Sequence, residues 1–126
     1  LIPALAEEIR QFRAKDKAGT LAVLTRTETR SIGLHQALLE AGCEQVHRIA
    51  AGQQHYEGGV SVLPVYMSKG LEFDKVLIVD VDDTQYQASM WDAKLLYVGC
   101  TRALHELKEF YDGTPSPLVR EPEPQP

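Results

Sequence analysis

The sequence predicts an α/β fold, a three-layer domain built on a mostly parallel sheet, and three observations lead there. Short, nearly continuous apolar runs recur as Thr20-Leu-Ala-Val-Leu-Thr25, Val60-Ser-Val-Leu-Pro-Val-Tyr66 and Lys75-Val-Leu-Ile-Val-Asp80, the pattern of strands buried on both faces. Segments with apolar residues at helical spacing alternate with those runs. With 44% hydrophobic and 25% charged residues, a chain of 126 residues has the apolar mass for one core. In such a sheet the functional loops gather at the carboxyl ends of strands.

Each element follows in order. Residues 4–15 place Leu5, Ile9 and Phe12 on one helical face, and Lys17-Ala-Gly19 ends the helix. Thr20–Thr25 is a strand, 26–31 a loop, and Ile32, Leu34, Leu38 and Leu39 mark the buried face of a second helix closed by Gly42. Gln45–Ile49 reads as a short strand and Gly52–Gly59 as a polar turn. Val60–Tyr66 and Lys75–Asp80 are strands flanking the charged loop Met67–Asp74. Trp91–Ala103 is helical, with Trp91 and Tyr97 read as core or rim aromatics, and Glu106–Tyr111 alternates as a half-buried strand. The domain spans 1–112; the proline-rich stretch 113–126 is an extended or disordered tail.

Several function classes are excluded at this level. A net charge of −5, from 13 Lys and Arg against 18 Asp and Glu, argues against coating nucleic acid by bulk electrostatics. Cys43 and Cys100 have no ligand spacing and read as reduced, buried thiols, and His35, His47, His55 and His105 are spaced unlike metal ligands. Asp80, Asp82 and Asp83 read as a solvated loop, so no metal site is expected. No apolar stretch is long enough to span a membrane and no secretory signal opens the chain, which gives a cytoplasmic address by default. The missing initiator methionine suggests a piece of a larger polypeptide.

Three segments carry candidate chemistry: Thr25-Arg26, Ser68-Lys-Gly-Leu-Glu-Phe-Asp74 and Tyr97-Val-Gly-Cys-Thr-Arg102. Two arginines brought into one crevice would clamp phosphate oxygens, because the guanidinium fork fits them and stays charged. Glu72 offers an acceptor for a ribose hydroxyl. No GxxxxGK[ST] phosphate loop occurs, so the chain is expected to show no ATPase activity alone.

These segments resemble the late motifs of the UvrD/Rep family of superfamily 1 DNA helicases. Ser68–Asp74 looks like the fifth motif, Leu96-Tyr-Val-Gly-Cys-Thr-Arg-Ala103 like the sixth and Leu21–Arg26 like the fourth; the stretch around 95–107 is most similar to the branch of helicase IV and the RNA-polymerase-associated helicases. The resemblance implies a second RecA-like lobe, of the P-loop NTPase-like class. Its partner would be an N-terminal RecA-like lobe of the same polypeptide that binds ATP and Mg²⁺. Arg26 and Arg102 would reach the γ-phosphate, Glu72 the sugar, and Lys69 and Gly70 would shape the loop between nucleotide and DNA. Tyr66 would stand near DNA, single-stranded or duplex, where relatives have histidine. The sequence departs from the family at Thr25, where an adenine-stacking tyrosine is common, and at Pro64, where threonine is usual. Two other readings stand beside this one: a degenerate lobe that docks RNA polymerase or another protein without catalysis, and an unrelated α/β enzyme using Glu72 and the Asp80 loop.

Overall fold

The computed structural model describes residues 1–50 and 59–119. The expected polar turn over 52–58 and the end of the tail, 120–126, lie outside the described residues. Five strands form one sheet: β1 (Leu21–Thr25), β2 (Val46–Arg48), β3 (Val60–Pro64), β4 (Phe73–Ile78) and β5 (Ala103–Glu109), in the order β2-β3-β1-β4-β5. Every pairing is parallel. The helices are α1 (Ile2–Lys15), α2 (Glu28–Glu40) and α3 (Met90–Cys100), with a short 3-10 turn at Val65–Met67.

The alternation of side chains along a strand divides the core into two layers. Leu21 and Val23 of β1 face α1 and α2, where they meet Leu5, Ile9, Leu34 and Leu38. Ala22 and Leu24 face the other way, toward Leu95 and Leu96 of α3. All five residues of β1 and of β3 are buried, as central parallel strands require. Gly99 lets α3 lie close to the sheet: a Cβ there would stand 3.1 Å from Ile78 Cδ1 and 3.4 Å from Leu24 Cδ1.

Several elements differ from the sequence reading. α2 starts earlier than expected, capped by the Thr27 side chain, which accepts from the Arg30 amide. Its buried face is Ser31, Leu34 and Leu38, while Ile32 and Leu39 are exposed. On α3, Trp91 and Tyr97 are each 70% exposed, so neither belongs to the core. β5 begins at Ala103 rather than Glu106, because a register shift opposite Phe73–Lys75 interrupts its alternation. It is an edge strand with mostly exposed side chains, not a half-buried one. Both cysteines are only partly buried, and burial pushes the Cys100 thiol up to about 12. After β5, residues 112–119 fold back on the α3 side: Asp82 bridges Pro115, Ser116 is fully buried with its hydroxyl donating to Tyr86 O at 2.6 Å, and Leu118 and Val119 pack on the core.

Candidate nucleotide and nucleic-acid surfaces

Because all strands run one way, the sheet has a carboxyl end and an amino end, and the motif residues divide between them. The Val65–Glu72 connection starts at the carboxyl end of β3 and delivers the chain to the amino end of β4. Ser68 is buried in it, its hydroxyl donating to Val65 O at 2.6 Å, and the Leu71 amide donates to Ser68 O at 3.0 Å. Gly70 adopts φ +82°, a left-handed turn position that a Cβ would strain. Lys69, Gly70 and Glu72 are exposed around this turn.

Arg102 meets that turn. It follows the C-cap of α3 and directly precedes β5, so it stands at the amino end of the sheet. Its carbonyl accepts from the Phe73 amide at 2.9 Å, its Nη1 donates to Leu71 O at 3.5 Å and its Nε donates to Val98 O at 3.1 Å. Glu72 lies between the two backbone positions that Arg102 touches. Counting Nη2 to Thr101 Oγ1, three of the five N–H groups of this half-exposed guanidinium are engaged among the described residues. The remaining donors suit a phosphate group, so the residues present fit one edge of a nucleotide site.

Arg26 is elsewhere. It follows the last residue of β1 and therefore stands at the carboxyl end. Its Nη2 pairs with Asp92 Oδ1 at 3.0 Å, its Nε donates to Gln85 O at 3.3 Å, and its guanidinium lies 5.9 Å from the centroid of the buried Tyr86 ring. A cleft of about 460 Å³ beside it is lined by Arg26, Thr27, Arg30, Asp80, Asp82 and Gln85, and Arg102 takes no part in it. Asp92 and Arg102 are separated by the length of α3, about 15 Å at 1.5 Å per residue. The expected two-arginine clamp is thus corrected: a residue that ends a strand and one that begins a strand occupy opposite ends of a parallel sheet. Thr25 is equally remote from the Arg102 turn. It is fully buried, its hydroxyl donating to Thr27 O at 2.7 Å where β1 turns into α2. Tyr66 is at the carboxyl end too, half-exposed, with its hydroxyl 3.5 Å from Glu28 Oε2.

The acidic run after β4 is bound up in protein contacts. Asp80 pairs with Arg30 at 2.8 Å, and Asp82 accepts from the Thr84 hydroxyl and the Thr84 and Gln85 amides. Among the described residues no group of three His, Cys, Asp or Glu is placed to hold a metal ion. No described helix is long and apolar enough to cross a membrane.

Asp92 is the residue the sequence reading missed. It is 7% exposed, pairs with Arg26 through one oxygen and accepts from the Gln87 amide through the other at 2.8 Å. The signal was present as Ser89-Met-Trp-Asp92, an N-cap followed three residues on by an acid, on a helix otherwise apolar at that face.

Comparison with known proteins decides the family. The C-terminal domain of a possible DNA helicase from Lactobacillus plantarum WCFS1 superposes with a TM-score of 0.78 and 31% identity, over 93% of this chain and 70% of that one. The UvrD-like helicase C-terminal domain profile matches residues 59–108. This chain belongs to the UvrD-like helicase C-terminal domain family. The C-terminal part of the Fun30 ATPase domain shares the fold alone, with a TM-score of 0.55 at 11% identity over 86% of this chain and 39% of that one. No curated protein matches the sequence. The parallel five-stranded sheet is therefore that of a RecA-like helicase C-terminal domain.

Proposed function

We propose that this domain is the second motor lobe of an ATP-dependent superfamily 1 DNA helicase, completing a nucleotide site whose principal residues lie on an N-terminal RecA-like lobe. The observation that carries the reading is the meeting of Arg102 with the Leu71–Phe73 turn at one end of the sheet. Arg102 supplies a cation fixed by its own helix, so charge developing on a transferring phosphoryl group finds a partner already in place. Glu72 accepts from a sugar hydroxyl, and Gly70 and Lys69 shape the loop that joins this surface to the opposite end of the sheet. There Tyr66 provides a contact for single-stranded or duplex DNA. ATP and Mg²⁺ supply the phosphoryl chemistry when bound, held mainly by the other lobe.

In the intact protein, Arg102→Ala should lower DNA-stimulated ATP turnover by roughly 10³-fold or more, the contribution typical of such a cation, with the melting temperature unchanged. Turnover near wild type in that variant would reject the reading. A non-catalytic docking module, for RNA polymerase or another protein, draws on one observation: Met90, Trp91 and Tyr97 expose large apolar side chains along α3. That reading expects no turnover in the intact protein at all.

A further inference from the structure

We infer that Arg26 is a positioning residue for Arg102, acting along α3 from the opposite end of the sheet. The inference rests on the nucleotide role proposed for Arg102. Arg26 ties three things to the end of β1: Asp92 in the first turn of α3, the Gln85 carbonyl, and the ring of the fully buried Tyr86. Asp92 and Arg26 are shielded, with side chains 11% and 26% exposed, so the pair is worth more than an open surface bridge. Asp92 also fixes the loop before the helix through the Gln87 amide, and Ser89 caps the helix by accepting from the Asp92 amide at 3.1 Å.

The second fixed point of α3 is Gly99, pressed against Ile78, Leu24 and Val65. Between Asp92 and Gly99 the helix also rests on the core through Leu95 and Leu96, so a helix released at Asp92 tilts about its tightest contact, Gly99. At 1.5 Å per residue, Asp92 lies about 10 Å before Gly99 and Arg102 about 4.5 Å after it. A shift of about 1 Å at the Asp92 end then moves Arg102 by about 0.4 Å in the opposite sense, through the same rigid geometry. Arg102 follows the helix because its Nε is bonded to Val98 O, inside the last turn. Since a misplacement of about 1 Å can cost roughly 100-fold in rate, about 0.4 Å corresponds to roughly a five- to tenfold loss.

The test uses the intact helicase and its DNA-stimulated ATPase, with Arg102→Ala as reference. Arg26→Ala and Asp92→Ala should each lower kcat about five- to tenfold while KM for ATP stays within about twofold, the split expected when only transition-state contacts are lost. The double variant should be no worse than either single one, because both break the same clasp. Arg26→Lys, which can still reach Asp92, should recover most of the rate. Wild-type kcat in both alanine variants beside an inactive Arg102→Ala would overturn the inference and leave the proposed function standing. Arg26→Ala as inactive as Arg102→Ala, with Asp92→Ala unaffected, would also overturn it, since Arg26 would then touch the nucleotide directly. Wild-type turnover in Arg102→Ala would remove the proposed function and this inference together. If the alanine variants melt below the assay temperature, Asp92→Asn carries the test: a lowered kcat beside a nearly wild-type Arg26→Lys supports positioning, and an unchanged kcat in Asp92→Asn overturns it.

Discussion

Replacing Tyr86 by phenylalanine should stabilise this domain. Tyr86 is among the largest fully buried side chains, and its hydroxyl has no hydrogen-bond partner among the described residues. A buried polar group without a partner costs about 1–3 kcal/mol, whereas an apolar group of the same shape costs nothing of the kind. Phenylalanine keeps the ring under Arg26 and opens a gap no larger than one oxygen atom, so the cation contact and the packing persist. The net gain should be about 1 kcal/mol, which for a domain of this size raises the melting temperature by about 3–5 °C. Alkali adds a second signature. Burial drives the Tyr86 pKa well above its ordinary value of 10, so the folded protein keeps the proton where the unfolded chain releases it. Stability contributed by the neutral phenol is fully present below pH 10 and falls as pH rises above it. The advantage of Tyr86→Phe should therefore widen above pH 10, read by thermal melts from pH 7 to pH 11. A variant less stable than wild type at pH 7 would show that the hydroxyl is satisfied and refute the argument.

Two further perturbations follow from the same structure. Glu8 on α1 accepts from Lys75 at 2.7 Å and from Lys108 at 2.5 Å, and Lys75, only 8% exposed, also reaches Glu106 at 3.0 Å. Burial alone would raise the Glu8 pKa, but the two lysine bonds outweigh it and hold the carboxyl below its usual range. Its contribution is thus present above the carboxylate range and lost as pH falls through it. Glu8→Gln should cost about 2 kcal/mol at pH 7, the loss expected when a mostly buried lysine keeps one of two partners, with the difference shrinking toward acid in denaturant titrations. Gly70→Ala forces a Cβ into a left-handed position and should cost about 1 kcal/mol by the same measurement. In the intact protein it should also slow ATP turnover, because the turn beside Arg102 must rearrange; unchanged stability and turnover would show that φ +82° is not required there.

Much of the fold was legible because burial leaves a simple mark on composition. The runs at 21–25, 60–64 and 75–78 are apolar on both faces only where helices cover both sides of a parallel sheet, and the structure places them at its centre. The outer elements were harder. Leu39 and Ile32 fit a helical stripe yet face solvent, and the aromatic content of α3 says nothing of which side is covered. The start of β5 was hidden by a shift in register that breaks alternation. Motif order located the Ser68–Glu72 turn and Arg102 correctly as neighbours, since the turn ends at the first residue of β4 and Arg102 precedes the strand beside it. It misled for Arg26, although strand polarity alone separates a residue that leaves β1 from one that enters β5. Asp92, the partner that occupies Arg26, was not singled out within the helical reading of Trp91–Ala103.

The arrangement at the amino end of the sheet is tested most directly by a structure of the intact protein holding a non-hydrolysable ATP analogue. The account predicts the Arg102 guanidinium within hydrogen-bond reach of the terminal phosphate, Glu72 at the sugar, and Arg26 still paired with Asp92. A phosphate bound by Arg26 at the carboxyl end, with Arg102 facing only its own backbone contacts, would contradict it.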